Sequence, residues 1–139
     1  MRTSAHFSAK DPYFKAFVKE NRLTKKDLPN LYRSLHSFLY FERDPTGTQV
    51  IKTAKRTLKD RTGNCVDYSV LLGAFLINMG IPFYFRMVTY SGPSKFSHIY
   101  VLLNDGTPID LVMGKDGPRI PPVYGFEVPH NGAFDLKIN

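Results

Sequence analysis

The feature that most constrains the fold is an apolar segment that begins at Cys65 and ends near Met79. Its apolar residues recur along one broad helical face. Gly80 follows where a glycine cap is favoured, and Pro82 prevents the helix from continuing. The segment is shorter than the roughly 20 residues that a membrane-spanning helix needs. The sequence therefore predicts a buried helix from Cys65 to about Met79, which the rest of the chain must cover.

Helical spacing dominates the chain before this segment, and aromatic and β-branched runs separated by turn signals follow it. Asp105-Gly106 between two of the runs predicts a two-residue hairpin turn. The order predicts an α+β fold, in which N-terminal helices and the helix at Cys65 pack on an antiparallel sheet. Helices are predicted at 12–21 and from about 29, a loop at 41–48, a loop with a short helix or turn at 49–60, and strands at 83–90, 97–103, 107–113, 123–128 and 134–138.

The chain of 139 residues has the length of one domain and shows no internal repeat or linker-like stretch, so we expect a single domain over residues 1–139. Disorder is expected only at the ends. The one cysteine cannot form an intramolecular disulfide, which agrees with a reducing compartment. The first residues carry no apolar core of a secretory signal. These features together predict a cytoplasmic protein without a membrane segment.

The formal net charge is +7, with lysines and arginines scattered except for 25–26 and 52–61. Neither stretch matches a known nucleic-acid-binding module, so nucleic acid is not an expected partner. The basic run at 52–61 is interpreted first as a solvated face. It also offers a way to select acidic substrates, and an acidic partner is therefore one expectation.

Cys65 has the surroundings of a reactive thiol, because a helix N-terminus stabilises a thiolate through its unpaired amides and dipole. Gly63 permits a tight turn before the helix, and amides at that turn are candidates to hold an oxyanion. A base is still needed, and His98 and Asp110 lie on strands joined by the predicted hairpin. With a two-residue turn, however, His98 and Asp110 would lie on opposite faces of the sheet. A bulge or a longer loop is required to bring them together.

Five short motifs follow one another between residues 61 and 113. They are Gly63-Asn64-Cys65-Val66-Asp67-Tyr68-Ser69, Leu71-Leu72, Gly80-Ile81-Pro82, Ser97-His98-Ile99-Tyr100-Val101 and Pro108-Ile109-Asp110. In composition and order they resemble the transglutaminase-like family of papain-type cysteine enzymes. The sequence departs from the family pattern at Asn64, where an acidic residue is common, and at Ile99, where an aromatic is common. Residues 43–49, with Thr57-Leu58, further resemble small members encoded by bacteriophages and prophages.

The resemblance implies that Cys65 is a nucleophile, His98 a general base and later acid, and Asp110 the group that orients the imidazole. It implies an amide hydrolase or acyltransferase of protease, amidase or transglutaminase type, acting through a thioester on a protein or peptide carboxamide. Gln49 and Asn64 are candidates to line the cleft or donate to the oxyanion. No cofactor is expected, and a zinc site is disfavoured because no close ligand pair exists. The alternative is a non-catalytic interaction or phage assembly protein that retains the fold.

Overall fold

Local sequence signals place most of the helix boundaries. Asp11 caps one helix by accepting from the Tyr13 amide at 2.9 Å, and Thr53 caps another by accepting from the Arg56 amide at 3.2 Å.

A computed structural model describes residues 1–42, 51–90, 97–112, 124–127 and 129–139. The helices are α1 (Arg2–Ala9), α2 (Pro12–Glu20), α3 (Leu28–Phe38), α4 (Ala54–Asp60) and α5 (Cys65–Met79), with a 3₁₀ turn at Lys25–Asp27. The strands are β1 (Tyr40–Phe41), β2 (Thr62–Gly63), β3 (Phe83–Thr89), β4 (Ser97–Leu103), β5 (Pro108–Ile109) and β6 (Gly132–Lys137).

The helix predicted from the apolar segment is the centre of the fold. Helix α5 begins at Cys65, and Gly80 caps its end with a left-handed φ of 71°. Eleven of its fifteen residues are buried, as expected for a helix that is apolar all round. Helices α1, α2 and α4 and strand β4 all contact it. The prediction of a buried helix from Cys65 to about Met79 is confirmed.

A four-stranded sheet with the order β5-β4-β3-β6 and only antiparallel pairs packs against α5. The odd-numbered residues of β4, such as Val101, join the hydrophobic core. Its even-numbered residues, including His98 and Tyr100, therefore lie on the other face of the sheet. A separate parallel pair, β1 with β2, lies directly before Cys65. The α+β class and the helix-on-antiparallel-sheet arrangement are as predicted.

Two of the strand predictions were wrong in extent. Among the described residues of the predicted strand at 107–113, only Pro108–Ile109 pair with β4. The Asp110 carboxylate accepts from the Val112 amide at 3.0 Å and turns the chain out of the ladder. Of the predicted strand at 123–128, residues 124–127 are described, and they form a turn and coil. Gly125 has a φ of 83° there, which is incompatible with an extended strand.

The first residues of the chain form a helix that the sequence did not predict. No element was predicted before Pro12, yet α1 buries Ala5 in the core. The Arg2 guanidinium donates to the Lys137 carbonyl at 2.6 Å, so the first helix is joined to the last strand. The signal was weak because α1 lacks both a side-chain cap and an acidic first turn. Within the described ranges, no helix combines the length and apolar character needed to cross a membrane.

Candidate active site around Cys65, His98 and Asp110

The start of α5 is fixed by a reciprocal capping box. The Asn64 side chain accepts from the Asp67 amide at 3.0 Å, and the Asp67 carboxylate accepts from the Asn64 amide at 3.2 Å. The other Asp67 oxygen accepts from the Lys52 amide at 3.0 Å, which attaches the segment before α4 to this turn. Asp67 is buried and uses both carboxylate oxygens in holding Cys65 at the first helical position. Asp67 is therefore a helix-terminus carboxylate that fixes the turn at Cys65.

Gly63 is required here by close packing rather than by an unusual φ. A Cβ at this position would lie 2.9 Å from the Asp67 Cβ and 3.2 Å from the Tyr68 Cε1. The backbone of Gly63 also belongs to β2, and its carbonyl accepts from the Glu42 amide at 2.9 Å. A side chain at Gly63 would therefore disturb the capping box and the parallel strand pair together.

The β4–β5 connection brings His98 and Asp110 onto one face. Val101 pairs with Ile109, which shifts the register by one residue from the two-residue turn. The loop therefore has three residues, 104–106, and Gly106 occupies the left-handed region with a φ of 93°. His98 Nε2 lies 2.7 Å from Asp110 Oδ2, and both side chains are buried. The prediction of a longer loop and of contact between these two side chains is confirmed.

The Cys65 side chain lies close enough to His98 to affect the pKa of the imidazole. Because Nε2 faces Asp110, Nδ1 is the ring nitrogen left for the thiol. Burial alone would lower the pKa of His98, but the hydrogen bond with Asp110 and the nearby Cys65 side chain outweigh it and raise the pKa to about 9. The imidazole thus favours its protonated form between a carboxylate and a sulfur.

Asp110 is held in place by groups from two other parts of the chain. Its Oδ1 accepts from the Val112 amide at 3.0 Å, and its backbone carbonyl accepts from the Tyr32 hydroxyl at 3.0 Å. Tyr32 belongs to α3, so a helix far away in the sequence supports the loop that carries the carboxylate. Burial and the charge of Asp110 raise the pKa of Tyr32 to about 12, so Tyr32 remains a neutral donor.

Ser69 joins the first turns of α5 to β4. Its hydroxyl donates to the Cys65 carbonyl at 2.8 Å and lies 3.4 Å from the Ile99 carbonyl, next to His98. Residues of α5 and β4 and residues 109–112 close around this point, and the gap between them is too small to hold a water molecule. The Tyr68 hydroxyl, part of this lining, is buried and has no hydrogen-bond partner among the described residues. The packing therefore places an unsatisfied donor close to Cys65.

A polar network lies beside His98 on the face of the sheet that points away from the core. The Tyr100 ring lies 5.5 Å from the His98 ring, and its hydroxyl donates to Glu127. Arg86 Nη1 donates to Glu127 at 3.1 Å, and two further nitrogens of Arg86 donate to Asp135 at 2.8 and 2.9 Å. The hydrogen bond to Asp135 is the main reason that the pKa of Arg86 is raised. The network fixes Tyr100 beside the imidazole.

The remaining site predictions have mixed outcomes. Gln49 lies outside the described residues. Asn64 is beside Cys65, but its carbonyl oxygen and backbone amide are used in the capping box, so an oxyanion role for its side chain stays a prediction. Over the described ranges, no three His, Cys, Asp or Glu side chains are grouped to hold a metal.

Sequence reasoning missed the support that Tyr32 and Tyr100 give to the site. It also missed Tyr90, whose pKa is raised to about 12 by burial and by the charges of Asp110, Cys65 and Glu127. Only Tyr100 carried a signal, because it shares a strand face with His98. The contacts of the other two depend on chain crossings that no local pattern records.

The arrangement has the elements of thiol nucleophilic chemistry. Cys65 is partly exposed at a helix N-terminus, beside an imidazole whose raised pKa favours holding the thiol proton. The carboxylate of Asp110 fixes the orientation of that imidazole. Amide donors of the first helical turn lie next to the sulfur, where negative charge is favoured.

Matches to this chain were found among family models and among solved structures. A family model described as a transglutaminase-like domain matches residues 14–107, which include Cys65 and His98. No curated protein matches the chain. Among solved structures, the chain is similar to a candidate cysteine protease from Cytophaga hutchinsonii, with 13% identity and a TM-score of 0.46 over 79% of this chain. It spans only 44% of that protein. On the family match, which covers well over half of its residues, the chain belongs to the transglutaminase-like domain family.

Proposed function

We propose that this protein is a cysteine-dependent amide hydrolase or acyltransferase with Cys65 as nucleophile, His98 as general base and acid, and Asp110 as the orienting carboxylate. The observation that carries the proposal is the position of the His98 imidazole, which hydrogen-bonds Asp110 through Nε2 and lies close enough to the Cys65 side chain for that group to raise its pKa. This is the arrangement that activates a thiol and later returns its proton to a leaving group.

The reaction follows from these positions. The thiol proton passes to His98, whose raised pKa favours the imidazolium, and the Cys65 sulfur attacks a carboxamide carbon. The carbon–nitrogen bond of the tetrahedral intermediate breaks, and His98 delivers the proton to the departing amine, leaving a thioester on Cys65. Water resolves the thioester in hydrolysis, and a second amine resolves it in acyl transfer. A protein or peptide carboxamide is the proposed substrate, with hydrolysis slightly preferred.

The backbone amide of Cys65 is the proposed oxyanion donor. The Asn64 amide donates to Asp67, the Asp67 amide to Asn64 Oδ1 and the Tyr68 amide to the Asn64 carbonyl. In the described part of the chain, no acceptor lies on the Cys65 amide. A preorganised donor beside the nucleophile is what an oxyanion hole requires.

The test uses the fact that the chain has one cysteine. The alkylation rate with iodoacetamide is measured across pH for the native chain, His98→Ala and Asp110→Asn, with Cys65→Ala as the blank. We expect rapid alkylation at mildly acidic pH in the native chain and its loss in His98→Ala. Incubation with peptide carboxamides followed by mass spectrometry should then show a thioester adduct at Cys65. An alkylation profile that His98→Ala leaves unchanged would refute the assignment.

A non-catalytic interaction protein is the second candidate, because a cleft of about 510 Å³ lies between α1 and α4, whereas the gap at Cys65 is too small for a water molecule. It predicts that the Cys65→Ala protein performs the biological role fully. A phage or prophage origin stays a prediction, since most of the residues that suggest it, 43–49, lie outside the described residues.

A further inference from the structure

A cleft of about 510 Å³ lies between the end of α1 and the first part of α4. This volume is in the range of sites that bind ligands. Four of its eight lining residues are cationic and one, Asp11, is anionic. Phe7 forms another part of the wall and is 66% exposed, the largest exposure among the big apolar side chains of the described ranges. The cleft therefore combines excess positive charge with an uncovered aromatic ring.

The positive charge that is available to a ligand belongs to lysines. Arg56 Nε is engaged by both Asp60 oxygens, at 2.9 and 3.0 Å. Lys55 lies 3.9 Å from Asp11, at the limit of an ion pair, and its side chain is 65% exposed. Within the described ranges, neither Lys10 nor Lys59 pairs with a carboxylate. Three ammonium groups thus face the cleft with little or no compensation.

The donors of the cleft suit carboxylates better than a phosphate. Backbone amides at a helix start are the usual phosphate donors, but here Ala54 donates to Ser8 Oγ at 3.0 Å and Arg56 to Thr53 Oγ1 at 3.2 Å. The Thr57 amide donates within the helix to Thr53. Asp60 holds Arg56 through Nε, which leaves only the terminal nitrogens of its guanidinium for a phosphate. Separate lysine point charges remain, and these match carboxylates spaced along a chain.

We propose that this cleft binds an acidic polypeptide segment, with its carboxylates against Lys10, Lys55 and Lys59 and one apolar side chain against Phe7. The segment belongs to a partner or substrate protein, and the proposal does not depend on turnover at Cys65. Because the ion pairs are exposed, each adds little alone, and the affinity comes from several together with the ring contact. Binding therefore depends strongly on ionic strength.

The experiment measures fluorescence anisotropy of a labelled peptide of glutamates around one phenylalanine, with every protein in the Cys65→Ala background so that no reaction interferes. The test variant is Lys10→Gln/Lys55→Gln/Lys59→Gln. The matched control changes three exposed lysines outside the cleft, 15, 19 and 26, to glutamine. Both variants remove three charges from the net +7. Thermal unfolding confirms that each variant is folded.

The cleft variant should bind the peptide about tenfold more weakly than the control variant, and Phe7→Ser should also weaken it. Raising the ionic strength from about 0.15 M to about 1 M should abolish most of the binding. Equal weakening in the two lysine variants would overturn the proposal, because it would show that the peptide is attracted by the net positive charge of the protein and not by the lysines of the cleft. Tighter, lysine-dependent binding of a single-stranded oligonucleotide or of pyrophosphate would overturn it as well.

Discussion

Asp110→Asn is the substitution that most directly tests how the site is held. Asparagine has the same shape and can still accept from the Val112 amide, so the loop should keep its conformation. Its NH₂ group would face His98 Nε2, which must then accept instead of donate. The neutral ring would carry its proton on Nδ1, the atom that is needed to take the thiol proton from Cys65. We expect alkylation of Cys65 to slow by about tenfold or more.

The same substitution should change how stability depends on pH. The pKa of His98 is raised from 6.5 to about 9, and at about 1.4 kcal/mol per pH unit this corresponds to roughly 3 kcal/mol in the folded state. Because the folded-state pKa is the higher one, this stabilisation is fully present below about pH 6.5 and is lost as the pH rises through about 9. Cys65 contributes part of this stabilisation, and the charge-assisted hydrogen bond with Asp110 is expected to contribute about 2 kcal/mol of it.

The assay is urea unfolding of Cys65→Ala and Cys65→Ala/Asp110→Asn between about pH 6 and pH 10. Both proteins lack the Cys65 thiol, and they differ only at residue 110, so all other titrating groups are the same in both. We expect the stability difference to be greatest near pH 6 and to shrink by about 2 kcal/mol by pH 10. A difference that stays constant across this range would refute the charge-assisted bond between His98 and Asp110.

Three further substitutions test the supports of the site. Tyr32→Phe removes the donor to the Asp110 carbonyl and should lower the free energy of unfolding by about 1 kcal/mol, measured by urea denaturation; an unchanged value would show that water replaces the hydroxyl. Gly63→Ala places a Cβ 2.9 Å from that of Asp67 and should cost about 1 to 3 kcal/mol, with slower alkylation as the helix start shifts. A thermally neutral Gly63→Ala protein would contradict the close-packing argument. Gly80→Ala meets no atom within 4 Å but strains a φ of 71°, so it should cost about 1 kcal/mol in thermal unfolding without changing alkylation.

The local elements were largely predictable because their signals are local. The cap at Asp11 sets the start of α2, and the glycine after Met79 sets the end of α5. The apolar pattern from Cys65 to Met79 gives the extent of α5, and the structure reproduces these boundaries. Where a boundary depends on partners, the prediction failed. Helix α1 has no cap and is ordered through its contacts with the last strand, and the strand after the hairpin ends early because Asp110 bonds the Val112 amide.

The sequence by itself determined the buried helix and the α+β order, because period, capping and turn residues act over a few positions. Only the tertiary structure decided that His98 and Asp110 share a sheet face, since one extra loop residue reverses the side of every later side chain and the Asp-Gly pair is compatible with either loop length. It also decided that Tyr32 supports Asp110 and that lysines from α1 and α4 line one cleft. Such contacts join residues far apart in the chain, and the packing of the core sets their distances.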